Sequence, residues 1–122
     1  MVVEANADSW FFSVIDGHGT DGHIAAEDLR NHIYSYIKKN SDLISQLQND
    51  RMVGEFLKLC FKNCENALEK NPSVSVDSGC CCLSVFIQRD RWYVCNAGDC
   101  KAILCSKDPI DPSRHLAREL CQ

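Results

Sequence analysis

Four consecutive residues near the start of the chain, Asp16-Gly17-His18-Gly19, combine types that can do chemistry together. A carboxylate offers hard oxygens suited to Mg²⁺ or Mn²⁺. A glycine lets its own carbonyl approach an ion, and a neighbouring imidazole can transfer a proton. Taken alone, these four residues favour a plainer reading: a strand-to-helix turn in which Asp16 bonds local backbone and His18 is exposed. Short motifs occur too often by chance to decide the matter.

Other polar residues offer less. His23 and His32 fall on or near a helical segment and read as surface or edge groups, and His115 sits in a tail with no carboxylate constellation around it. No Ser-His-Asp or Cys-His-Asn arrangement can be argued from spacing, and the Cys-x5-Arg loop of cysteine-dependent phosphatases is absent. The nine cysteines are odd in number and include the run Cys80-Cys81-Cys82, which suits a reduced compartment better than a disulfide scaffold. Cys60 and Cys64 lie one helical turn apart, and no second pair at zinc-knuckle spacing accompanies them. Most of these thiols are expected to act as small buried apolar groups.

Composition narrows the classes. In 122 residues the apolar fraction is 45% and the formal charge −4, as befits one globular domain. No Lys/Arg cluster could neutralise several phosphates, so nucleic acid is not an expected partner. No segment has the length or apolar character of a membrane span or secretory signal. The chain therefore reads as intracellular, cytoplasmic and/or nuclear.

The elements that must position Asp16 and His18 follow from periodicity. Trp10–Ile15 is aromatic and β-branched, strand-like, and stops at Asp16-Gly17. Thr20 or Asp21 can cap a helix over about 21–39, with Ile24, Ala25, Leu29, Ile33, Tyr36 and Ile37 on its apolar face. A second helix runs from the mid-40s or early 50s to about Lys70, through Val53, Phe56, Leu57, Cys60, Phe61, Cys64, Ala67 and Leu68. Asn71-Pro72 ends it, and the two helices should pack antiparallel. Cys80–Gln88, Trp92–Cys95 and Lys101–Cys105, separated by polar turns, predict a three-strand antiparallel meander. Its strands are apolar on both faces, so helices should cover one side and another sheet the other. Leu116 and Leu120 predict a short helix in the tail.

With the elements in place, a wider pattern emerges. Trp10-Phe11-Phe12-Ser13-Val14-Ile15-Asp16-Gly17-His18-Gly19 followed by Ala25-Ala26 resembles the Phe-Phe-x-Val-x-Asp-Gly-His-Gly block of the type 2C, metal-dependent Ser/Thr protein phosphatases. Asp77-Ser78-Gly79-Cys80-Cys81-Cys82 is similar to the family's Ser-Gly-Ser/Cys-Thr-Ala segment, with Cys81 in place of threonine. Trp92 to Leu104, containing Asn96-Ala97-Gly98-Asp99-Cys100-Lys101, is similar to the family's Asn-x-Gly-Asp-Ser-Arg-x-x-Leu hairpin. Three blocks in the right order are far more specific than any one of them.

The resemblance implies an α+β fold, part of an α-β-β-α sandwich whose antiparallel sheets are flanked by antiparallel helix pairs, spanning residues 1–122 as a partial phosphatase domain. It implies hydrolysis of phosphoserine and phosphothreonine in proteins by a water activated between two Mg²⁺ or Mn²⁺ ions. Asp16 would bridge the metals, the Gly17 carbonyl would bind one of them, and Asp99 would help hold a further, weaker ion. A turn role for Asp99 stays equally open. His18 would protonate the leaving oxygen. The family's phosphate-binding arginine, its Glu-Asp pair and its later Asp-Gly and Gly-Asp-Asn segments are not recognised in these residues. Half of a two-metal centre is thus expected, with sheet edges open to association. The rival reading is a pseudophosphatase-like binding module, or a piece of a longer enzyme.

Overall fold

Ser9, Phe11 and Ser13 are buried while Phe12, Val14 and Asp16 are exposed, and this alternation sets one strand as a boundary between core and surface. A computed structural model of the protein describes residues 1–121. Four antiparallel strands form the main sheet in sequential order: β1 (Val2–Asn6), β2 (Ser9–His18), β3 (Gly79–Gln88) and β4 (Arg91–Ala97). Between β2 and β3 the chain forms α1 (Gly22–Lys39), the single turn α2 (Ser41–Ser45) and α3 (Asp50–Leu68).

Both expected helices are present. Asn40 closes α1 by donating its Nδ2 to the Tyr36 carbonyl at 2.8 Å. Asn49 opens α3, its Oδ1 accepting from the Met52 amide at 3.0 Å. The helices run antiparallel: Tyr36, late in α1, packs on Phe56, early in α3, with ring centroids 5.7 Å apart. At the opposite end Asn71, just beyond α3, donates to Asp28, early in α1, at 2.9 Å.

The helices cover one face of the sheet. Ile33 and Ile37 of α1 and Val53, Phe56, Leu57 and Cys60 of α3 meet Val3, Phe11, Cys82 and Phe86 from the strands. Each fully buried Phe or Ile contributes about 1.5–3 kcal/mol of transfer free energy. Two polar ties cross this apolar layer: the Ser13 and Ser84 hydroxyls meet at 2.7 Å, and Gln88 Nε2 donates to the Ile44 carbonyl at 2.7 Å. The thiol expectation holds for Cys60, Cys64 and Cys82, which are buried; Cys105 is exposed and the others are intermediate. A hydrogen bond with Cys64, together with burial, pushes the Cys60 thiol up.

Three features depart from the sequence reading. The first is β1, which pairs with β2 and was not anticipated. The second is the fate of the third meander strand. Ile103–Lys107 (β5) leaves the main sheet and pairs instead with His115–Glu119 (β6) as a separate hairpin. Its departure follows the turn after β4, where Gly98 takes φ +102° and Asn96 Nδ2 donates to the carbonyls of Gly98 (3.2 Å) and Cys100 (2.9 Å). The third is the tail, which is strand where a helix was predicted. Leu116 and Leu120 are four apart, a spacing that puts two residues on one face of a helix or of a strand alike. The free edge of β5 decides for the strand.

The outer face of the sheet is apolar as predicted, but its cover is incomplete. A cleft lined by Val85, Ile87 and Trp92 on one side and Ala102, Ile103, Leu104 and Leu120 on the other marks where the β5–β6 hairpin faces it. Val2 and Val14 remain 65% and 66% exposed.

Candidate metal and phosphate site

Strand register brings the sequence-predicted residues to one end of the sheet. Across β2 and β3, Asp16 pairs with Cys81, Gly17 with Cys80 and His18 with Gly79. Across β3 and β4, Cys82 pairs with Ala97, so the Gly98-Asp99 turn begins beside the same row. Gly98 leans on Cys81: a β-carbon placed on it would lie 2.5 Å from the Cys81 sulfur. Asp16 and Asp99 are both exposed at this end. Cys100, next to Asp99 in the chain, has its thiol pushed up by loss of solvation and by Cys81, Asp99 and Asp16.

The backbone carrying Gly17 and His18 is held by contacts distant in sequence. Gly17 meets Gly22, the first residue of α1, backbone against backbone. After His18 the chain turns at Gly19, which rests on the Asp77 carbonyl and the Ser78 hydroxyl. Ser78 Oγ accepts from the Asp21 amide at 2.9 Å and lies 2.8 Å from Ser75 Oγ. The Asp21 carboxylate does not cap α1; it accepts from the Ser75 amide at 3.0 Å. Hydrogen bonds from Ser75 hold the Asp21 carboxyl below its usual range. The loop before β3 is thereby clamped to the loop after β2.

The imidazole of His18 lies over Gly79. A β-carbon on Gly79 would be 3.0 Å from Nε2 and 3.1 Å from Cε1. Among the described residues the exposed His18 side chain makes no hydrogen bond, and its ring stands beside Gly79.

Two positioning groups escaped the sequence reading. Asn96 lies at the start of the polar turn after Trp92–Cys95; its amide ties off the segment bearing Asp99, and its buried Oδ1 has no partner among the described residues. A short polar side chain just before a glycine turn is the signal that could have found it, because such side chains bond backbone two residues on. Ser75 clamps Asp21 from just before the Asp77-Ser78-Gly79 block.

Of the remaining histidines, His23 sits at the start of α1, beside the Gly22 that meets Gly17, and the other two lie elsewhere. His32 Nε2 lies 3.3 Å from Asp28 Oδ1 on α1, and His115 is exposed on β6. Among the described residues no three His, Cys, Asp or Glu side chains converge as a metal-holding group. Asp16 and Asp99 have the right donor chemistry for a hard cation, but they are too few to hold one against water. On these residues alone the donor set does not fit a complete two-metal centre. No helix in the described residues is long and apolar enough to cross a membrane.

Comparison with known proteins agrees with the geometry. The family model for Protein phosphatase 2C matches residues 3–116. The chain is 33% identical over 104 residues to the probable protein phosphatase 2C 14 of Arabidopsis thaliana, covering 82% of this chain and 21% of that protein. It is 32% identical over 101 residues to the probable protein phosphatase 2C 2 of Oryza sativa subsp. japonica, covering 80% and 26%. With the probable protein phosphatase 2C 3 of Paramecium tetraurelia it shares 32% over 101 residues, covering 77% and 33%. The chain thus spans about a fifth to a third of the length of these relatives. The match runs through the strand bearing Asp16, the helix pair and the Gly98-Asp99 turn, and the chain belongs to the protein phosphatase 2C family.

Proposed function

We propose that this chain contributes part of the active site of a metal-dependent phosphatase acting on phosphoserine and phosphothreonine in proteins. The observation that carries this reading is the convergence of Asp16, His18 and the Asp99 turn at one end of the sheet, through the register of β2, β3 and β4. Asp16, the Gly17 carbonyl and Asp99 would hold Mg²⁺ or Mn²⁺ there, with further oxygen donors from outside these residues. Bound divalent cations supply the charge that makes water a nucleophile at neutral pH and offsets the phosphate's charge. The chain's own part is to aim the Asp16 carboxylate out of the strand end and to present the imidazole of His18 toward the leaving oxygen. A positioned acid of this kind contributes about 10²–10⁴-fold in rate.

Activity of the intact protein toward a phosphoserine peptide should depend on Mn²⁺ and fall at least about a hundredfold in Asp16→Ala. Undiminished turnover in that variant would remove the metal role assigned to Asp16.

A second reading is a binding module that has kept the fold without turnover. It is favoured by the shortage of converging donors among the described residues and by the exposed Val2 and Val14 on the sheet's outer face. That reading expects association through the open sheet and no Mn²⁺-dependent hydrolysis at any metal concentration.

A further inference from the structure

We propose that Gly79 is the positioning residue for His18, its bare Cα forming the floor on which the imidazole rests. This inference rests on the reading of His18 as the acid that protonates the leaving oxygen.

His18 and Gly79 are opposite one another in the β2–β3 register. Side chains of directly opposed residues project to the same side of a sheet with β-carbons only about 4.5–5.5 Å apart. Any side chain at position 79 would therefore compete with the imidazole for one volume. The ring already occupies it: a β-carbon on Gly79 would meet Nε2 at 3.0 Å, Cε1 at 3.1 Å and Cδ2 at 4.0 Å. The nearest of these atoms is the ring nitrogen Nε2.

Two further contacts make the floor and the ring one unit. Gly19, the residue after His18, rests on Asp77 and Ser78, the residues just before Gly79. Ser78 in turn is held by the Asp21 amide at 2.9 Å and by Ser75 Oγ at 2.8 Å. The backbone that carries His18 and the surface beneath its ring are thus both fixed to residues 77–79. A methyl group at position 79 is not relieved by sliding one loop past the other, so the ring itself must give by a few tenths of an ångström. Rate falls steeply as a reacting group is displaced, on the order of 10²-fold for about 1 Å.

The test uses a difference between leaving groups. An alkoxide leaving from phosphoserine needs a proton, whereas the nitrophenolate leaving from p-nitrophenyl phosphate does not, so loss of the acid weighs on the first far more than on the second. In the intact protein at saturating Mn²⁺, Gly79→Ala should lower kcat on a phosphoserine peptide by about three- to tenfold. Its KM should move little, and the fall on p-nitrophenyl phosphate should be much smaller. His18→Gln should give the same split, and the double variant should be hardly worse than His18→Gln alone. Equal losses on both substrates in Gly79→Ala, or no loss on either, would overturn the positioning role. If His18→Gln shows the split and Gly79→Ala does not, the floor is wrong and the acid stands. If His18→Gln shows no split, the acid reading itself fails. A measurement on the unmutated protein guards against misfolding: a nuclear Overhauser contact between the His18 Hε1 and Gly79 Hα protons is expected, and its absence also overturns the proposal.

Discussion

Gly98 packs directly on Cys81, the residue that pairs with Asp16, so the turn bearing Asp99 is docked against the partner of the first carboxylate. A β-carbon on Gly98 would lie 2.5 Å from the Cys81 sulfur and 2.7 Å from its β-carbon, and Gly98 has φ +102°. Gly98→Ala therefore meets both a collision and a disfavoured backbone. We expect a loss of about 1–3 kcal/mol in urea denaturation. Adding Cys81→Ala should restore only part of it, because that removes the sulfur but leaves the β-carbon contact at 2.7 Å and the backbone strain. Full restoration would mean that neither the β-carbon contact nor φ contributes.

The buried hydroxyls of Ser13 and Ser84, 2.7 Å apart, tie the two central strands inside an apolar layer. Truncating one leaves the other without its main partner, at a cost of about 1–3 kcal/mol. Ser84 keeps a weaker contact with the Cys82 sulfur at 3.5 Å, so Ser13→Ala should be the milder of the two single variants. The double variant Ser13→Ala/Ser84→Ala should cost less than the sum of the singles. Strict additivity in chemical denaturation would show that the pair is not coupled.

Burial pushes the thiols of Cys80 and Cys95 up to about 11 from an ordinary value of 9.0. With raised folded-state values, the stability linked to these protons is complete below pH 9 and is lost as pH rises toward 11. The urea midpoint under reducing conditions should accordingly fall between pH 9 and 11, and the fall should be shallower in Cys80→Ala/Cys95→Ala. Alkylation gives a parallel readout. At pH 8 the exposed Cys105 should react first, and the buried Cys60 and Cys82 only on unfolding. Early labelling of Cys60 would contradict the packing of α3 on the sheet.

Long periodic segments were legible because their signal is local. Eighteen residues of α1 and nineteen of α3 repeat the helical spacing several times, and Asn71-Pro72 ends the second without reference to the rest of the chain. The tail could not be read this way: His115–Glu119 is five residues long and exposed throughout, and its strand geometry exists only because β5 offers unpaired backbone. Likewise Lys101–Cys105 reads as a third meander strand until the Asn96-tied turn redirects it.

The residue types at Asp16-Gly17-His18-Gly19, and the order of the three blocks that place the chain in its family, were determined by the sequence itself. They identify which groups can bind a hard cation or move a proton, since that is a property of the side chains. Where those groups point was decided only by tertiary structure. Seating His18 on Gly79, docking Gly98 on Cys81 and clamping Asp21 to Ser75 all join residues some seventeen to sixty positions apart, and such contacts follow from strand register and loop packing rather than from local spacing.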